Sequence, residues 1–280
     1  MLAISLPTSN RHSRVPELLE IEYYRRAAGA GLDREIAKVV ADDHHFLKNG
    51  TTPEAVKAAL GGARFTTARR VGKVLYLDTD HGEVLSLRFG MTGRLIVDDS
   101  AVIDRLEYSP RRDEPKWDRF LVRFADGGSM RVQDPRRLGG VELDPDESVL
   151  GPDAWEIDGP MLTDVIGTSV TAIKTRIMDQ SRLAGIGNLL ADDGLWRSGI
   201  APTRAANSLS VAEVDDLALA LHETLRQLFE RGGSHMGDTQ EERHKDGVCP
   251  RDGASLQRTK VGVALRIGVQ YIKFDDTRHQ

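Results

Sequence analysis

The chain has a single cysteine, Cys249, in 280 residues, so no disulfide can form within it. That excludes a disulfide-stapled small fold and fits a reducing compartment. Aromatic residues are scarce at 5%, and no apolar run reaches the roughly 20 residues a membrane-spanning helix needs. The stretch from Met1 to Val15 carries Arg11, His12 and Arg14 and lacks an apolar segment, so a secretory signal is not expected there. A net positive charge is missing too: 38 Lys and Arg stand against 43 Asp and Glu. A uniformly basic nucleic-acid binder is thereby excluded, but a local basic face is not.

What the chain does contain is ordinary globular material, 40% hydrophobic and 29% charged, with length enough for two modest cores. Acid collects at Glu142, Asp144, Asp146, Glu147 and Asp153, and again at Glu213, Asp215, Asp216 and Glu223. Base collects in residues 64–73, 131–137, 174–182 and 251–260. That segregation keeps nucleic acid among the candidate partners.

Residues 15–28 predict a helix opening on Pro16, with Glu17, Glu20 and Glu22 near its positive end. Short apolar runs separated by turns then fill residues 36–143. Residues 63–79 read as strand, turn at Gly72, strand, and residues 119–124 and 129–133 flank an Asp126-Gly127-Gly128 hairpin turn. A β-sandwich or barrel-like domain follows from that pattern. The acidic stretch 143–152 marks its boundary. Beyond it, residues 171–179 predict a short amphipathic helix, with Ile173, Ile177 and Met178 on one face and Lys174 and Arg176 on the other. Gly185-Ile186-Gly187 forces a tight turn before a second helix that starts at Asn188. Residues 208–231 predict a longer helix with Leu217, Leu219, Leu221, Leu225 and Leu228 available for packing. Helix, glycine turn and helix start beside basic residues suit a bound phosphate, although an ordinary helical hairpin fits the same pattern.

Gly185-Ile186-Gly187-Asn188 after Met178-Asp179 resembles the helix–two-turn–helix element of formamidopyrimidine-DNA glycosylases and endonuclease VIII. Four more segments carry the resemblance in order. Pro16-Glu-Leu-Leu-Glu-Ile-Glu22 resembles the family's opening Pro-Glu-Leu-Pro-Glu-Val-Glu, differing at Leu19 and Ile21. Arg69-Arg70-Val-Gly-Lys73 resembles a basic turn whose lysine faces the active site. Phe89-Gly-Met-Thr-Gly93 resembles a loop presenting Met91 to DNA. Asp134-Pro-Arg-Arg-Leu-Gly139 resembles Asp-Pro-Arg-Arg-Phe-Gly, with Leu138 in place of phenylalanine.

The resemblance implies an α+β protein. Residues 1–15 are an extension, and 16–148 form a helix plus β-sandwich catalytic domain. Residues 149–236 form the helix–two-turn–helix domain, and 237–280 a degenerate zinc-finger-like hairpin tail. It implies a bifunctional DNA glycosylase and abasic-site lyase of base-excision repair, acting on oxidised bases in double-stranded DNA. A monomer in the bacterial cytosol is expected, with no membrane partner. Pro16 would be the Schiff-base nucleophile, Glu17 the acid/base, Glu20 a residue of the base pocket and Lys73 a phosphate contact or proton donor. Met91, Arg136 and Leu138 would fill the gap left by a flipped nucleotide. Lys174 and Asn188 would grip the flanking phosphates, and residues 232–237 would form a mobile loop closing on the base.

Two departures qualify this. Fifteen residues precede Pro16, so its nitrogen is an amide unless it becomes the first residue; Val15 stands where the family has its initiator methionine, and a start there would free it. A catalytically inactive binder of damaged or abasic DNA is the alternative. The family's four-cysteine zinc finger is reduced to Cys249, with Asp252 where a second cysteine would stand, so zinc is not expected and Cys249 is only a remnant ligand. Arg266 lies near the finger's arginine but is displaced, and no role is carried onto it.

Overall fold

A computed structural model describes residues 16–103, 112–244, 246–259, 261 and 270–271. Residues 1–15, Arg266 and His279 lie outside the described residues. The chain divides after Val149 into two compact units.

The first unit opens with helix α1 (Leu18–Ala28). Strand β1 (Ile36–Val40) and helix α2 (Pro53–Leu60) follow. Thr52 caps α2 by accepting the Ala55 N–H at 3.1 Å, with Pro53 at the first helical position, a sequence-readable start. Then come β2 (Phe65–Val71), β3 (Val74–Thr79), β4 (Val84–Arg88), β5 (Arg94–Val97) and β6 (Ser100–Ala101). Strands β7 (Asp118–Phe124), β8 (Ser129–Gln133) and β9 (Gly140–Leu143) complete it. They form two antiparallel sheets, in the orders β1-β7-β8-β5-β6 and β2-β3-β4-β9. Helix α1 packs on β2 and β3 of one sheet and β5 of the other. Leu18, Leu19, Ile21 and Tyr24 are buried there with Leu75, Leu77, Leu95 and Phe89.

The topology has one consequence for function. The chain changes sheets three times, between β1 and β2, between β4 and β5 and between β8 and β9. Strand β4 pairs with β9, ending at Arg88↔Gly140, and β5 pairs with β8 from Arg94↔Gln133. The two crossing loops, 89–93 and 134–139, are therefore held side by side by the registers of both sheets.

The second unit is helical: α3 (Gly159–Ile166), α4 (Ile173–Ile177), α5 (Asn188–Ser198) and α6 (Val211–Arg231). Ser210 and Glu213 cap α6 reciprocally, and Gly232 ends it in the left-handed region. Leu217, Leu221, Leu225 and Leu228 are buried as the spacing requires, but Leu219 is 59% exposed and faces solvent. It sits two residues from both Leu217 and Leu221, and a helix turns that position to the opposite side. Helices α5 and α6 approach closely at Gly194, where an added Cβ would lie 2.4 Å from Leu221 Cδ2. No described helix is long and apolar enough to cross a membrane.

Candidate functional site

Pro16 does not open α1 as the sequence suggests. Glu17 is the N-cap, in extended conformation (φ −112°, ψ −170°), and Leu18 begins the helix. The proline therefore stands one residue outside the helix, with its ring buried. Glu20 accepts the Glu17 backbone N–H at 2.9 Å and so fixes the chain's entry into the helix. Glu17 and Glu20 are 2% and 0% exposed. Glu22, the third acid, is committed elsewhere: it takes Arg25 twice at 2.8 Å and Arg26 at 2.9 Å. Burial pushes its carboxyl up, but the hydrogen bonds from Arg25 and Arg26 win and hold it below the usual range.

Pro16, Lys73, Arg88, Phe89, Gly90 and Leu138 line a cavity of about 230 Å³. Lys73 occupies the turn joining β2 to β3, beside Gly72 at φ +56°. Burial of its ammonium pulls it below the usual lysine range, and the charges of Glu17 and Glu20 oppose that pull. An amine so placed can give or take a proton closer to neutrality than a surface lysine can. The larger cavity, about 520 Å³, is lined by Asp99, Asp113 and Asp118, which Arg131 already pairs. Those three carboxylates are already engaged. The smaller cavity is the candidate active site.

The crossing loops bound it. Loop 89–93 is closed by the Gly93 N–H on the Phe89 carbonyl at 2.7 Å and anchored by α1: Tyr24 donates to the Gly93 carbonyl at 3.1 Å and its ring lies 4.4 Å from Phe89. Met91 at its tip is half-buried. In loop 134–139, Arg136 is exposed and Leu138 is 45% exposed, a large apolar side chain left in solvent. Arg137 takes φ +55°, uncommon for a residue with a Cβ, and its guanidinium holds Asp43 at 2.7 Å. Sequence reasoning missed what holds these loops. Asp134, fully buried, accepts the Thr92 hydroxyl, the Arg136 N–H at 3.1 Å and the Gly139 N–H at 2.8 Å. An aspartate directly before a proline was the available signal.

In the second unit, Gly185 stands at φ +116°, where glycine is favoured, and Gln180 staples the turn. Its amide accepts the Gly185 N–H at 2.9 Å and donates to the Ile186 carbonyl at 2.9 Å. Asn188 begins α5 half-exposed. Lys174 is not on a solvated face: it is 3% exposed, and its ammonium donates to Asn188 Oδ1 at 2.7 Å and Asp192 Oδ1 at 2.5 Å. Arg243 completes the buried group on Asp192 Oδ2 at 2.5 Å. Lys174 therefore holds the Asn188 amide by its oxygen at the start of α5.

Residues 232–237 form a compact turn, with Ser234 and His235 buried. The following Asp238 N–H donates to Asp193 Oδ1 at 2.8 Å, and Arg197 joins Asp193 and Asp238 at 2.7 Å each. Cys249 is buried, its sulfur accepting the Trp196 indole N–H at 3.4 Å, while Arg251 stacks 4.6 Å from that indole. Among the described residues no cluster of three His, Cys, Asp or Glu could hold a metal ion. The donor set does not fit the tetrahedral zinc of the finger.

The buried Lys174–Asp192–Arg243 group makes a stability prediction. Asp192→Ala removes the buried carboxylate that both Lys174 and Arg243 bond and is expected to cost about 3–5 kcal/mol in urea unfolding. Asn188→Ala, at a half-exposed position, should change stability far less; equal losses would mean the buried group is not the anchor.

Comparison with known proteins agrees with this geometry. Residues 15–141 match the formamidopyrimidine-DNA glycosylase N-terminal domain, and residues 150–240 match its H2TH domain. A formamidopyrimidine-DNA glycosylase of Methylobacillus flagellatus is 33% identical over 80% of this chain and 79% of its own. One of Arabidopsis thaliana is 32% identical over 78% of this chain, which spans only 58% of that longer protein. The fold is that of the Lactococcus lactis Fpg solved with a DNA containing N7-benzyl-Fapy-dG, with a TM-score of 0.76 at 23% identity over 92% of this chain and 98% of that one. The same protein solved with abasic-site DNA gives 0.75 at 23% identity, covering 91% and 97%. With both domains matched in order along most of its length, the chain belongs to the formamidopyrimidine-DNA glycosylase family.

Proposed function

We propose that the chain is a DNA glycosylase and abasic-site lyase of base-excision repair, acting as a monomer on oxidised bases in duplex DNA. The observation that carries this reading is the cavity holding Pro16 and Lys73 beside the loops of Met91 and Leu138. A target base inside a duplex is out of reach, so the nucleotide is flipped out. Met91, Arg136 and Leu138 fill the space it leaves. Asn188, oriented by Lys174, and the glycine-turn amides of the second unit contact phosphate. Leu138 supplies an apolar wedge without the stacking an aromatic ring would give, which bears on discrimination of the opposite base.

The chemistry needs a free Pro16 amine. Such an amine has a pKa of about 8, so a useful fraction is unprotonated near neutrality. It attacks the sugar C1′, the bond to the base breaks, and the base leaves with a proton. Glu17 supplies the proton that opens the sugar ring, giving an iminium at C1′. Loss of a proton from C2′ then expels the phosphate. Lys73 is the proton donor to a leaving group. Zinc has no part in this proposal.

A second reading, a non-catalytic binder of abasic DNA, is favoured by one fact: Pro16 follows fifteen residues in this chain, so its nitrogen is an amide there. Borohydride trapping on abasic duplex DNA separates the two. A protein beginning at Pro16 should crosslink efficiently and the full chain should not, unless processing exposes the proline. Tight binding with no crosslink from either would establish the second reading.

Lys73 makes a pH prediction. If its protonated form is the donor, strand cleavage declines as pH rises through a lysine pKa that burial has lowered, so the alkaline limb lies below the usual lysine range. Lys73→Gln should slow cleavage and abolish that limb; an unchanged limb would assign it to another group. The metal prediction is simpler. Elemental analysis of purified protein should find no stoichiometric zinc, and a strong chelator should leave the melting temperature unchanged. A melting temperature lowered by chelation would overturn it.

A further inference from the structure

We propose that Asp134 and Thr92 are positioning residues that fasten the two crossing loops into one rigid wedge, so that Met91, Arg136 and Leu138 enter a duplex together. This rests on the reading that these loops face DNA. The sheet registers bring the loops alongside each other but stop short of their tips, at Arg88↔Gly140 and Arg94↔Gln133. Just beyond the last of those pairs the Thr92 hydroxyl donates to Asp134 Oδ1 and ties one loop to the other. A proline turn alone needs only the local bonds from the Arg136 and Gly139 amides. The bond to Thr92 reaches into another loop, 42 residues away in sequence.

Three further features make the wedge stiff. Gly90, at φ +54°, lies so near the other loop that a Cβ there would be 2.6 Å from the Leu138 carbonyl carbon. Asp134 is itself pinned through its backbone: its N–H donates to the Trp117 carbonyl at 2.9 Å, and Arg119 donates to its carbonyl at 2.8 Å. Asp43 holds both Arg119, at 3.3 Å, and Arg137, at 2.7 Å. Thr92 and Asp134 are both fully buried, so the bond between them is shielded from competing water. Residues that must displace a base and stay in the stack gain from being ordered beforehand, because the entropy of ordering is then not charged against binding.

The test uses Thr92→Val, which keeps the shape and removes only the cross-loop bond, Thr92→Ser, which restores a hydroxyl, and Asp134→Asn. Each is bound to a duplex carrying a stable abasic-site analogue opposite 2-aminopurine, whose fluorescence rises when the wedge unstacks it. Thr92→Val should keep the wild-type fold by circular dichroism yet bind about tenfold more weakly, with most of the fluorescence rise lost. Thr92→Ser should retain both signals, and binding to single-stranded DNA should be the same for all. An unchanged fluorescence rise and affinity in Thr92→Val would overturn the proposal, whatever Asp134→Asn does to folding. Because this readout needs no catalysis, failure of borohydride trapping would remove the lyase reading and leave the wedge standing. A wild-type protein that gives no fluorescence rise would overturn the wedge itself.

Discussion

Two antiparallel sheets built from one chain have to be joined by crossings, and here two of the three crossings lie at neighbouring strand pairs. Because β4 lies on β9 and β5 lies on β8, the connections β4–β5 and β8–β9 leave the sheets at one edge. Everything at the candidate site follows from that. The crossings carry Met91, Arg136 and Leu138; Phe89, Gly90 and Leu138 line the cavity; and α1, packed on strands of both sheets, brings Pro16 to the same cavity. The strand core supports this arrangement with fully buried Leu75, Leu77, Leu87 and Phe120, so the loops are presented by a rigid base.

The two lysines singled out in the sequence show how environment assigns roles to one residue type. Lys73 sits in a tight turn at a cavity, where burial weakens its hold on a proton and Glu17 and Glu20 restore part of it. Such an ammonium gives up its proton more readily than one on the surface. Lys174 is buried between Asn188 and Asp192 at hydrogen-bonding distance of both. A cation committed to a buried carboxylate is a fastener, and what it fastens is the amide at the start of α5. Asp193, next to it, does similar service for the segment after α6. Burial pushes its carboxyl up against the pull of Arg197, and it still receives the Asp238 amide.

Local signals made much of this readable from sequence. Residues 63–79 showed strand, turn and strand because Gly72 interrupts apolar runs, and β2 and β3 flank it. Gly185 was legible because its position demands a left-handed backbone. Misreadings arose where a distant partner decided the outcome. Lys174 looked solvated because charge on a short amphipathic helix usually is, but its partner Asp192 lies 18 residues on, and the Arg243 that shares it a further 51. The basic stretch 64–73 stood out as a cluster of positive charge. In the fold Arg64 is held by Glu35, Arg69 by Asp78 and Glu147, and Arg70 by Glu22, while Lys73 lines the cavity with Pro16. Periodicity within a segment cannot see such partners.

The stretch from Asp238 to Arg251 is attached to α5 by ordinary side-chain chemistry. Asp238 bonds Arg197 and Arg243 bonds Asp192, while Cys249 takes the indole N–H of Trp196 and Arg251 covers the same ring. These contacts recur along one helix, at positions 192, 193, 196 and 197, so the segment is held along its length. The same Asp192 orients Asn188 through Lys174 at the other end of that helix. The segment after α6 and the amide at the start of α5 thus share one buried carboxylate, that of Asp192.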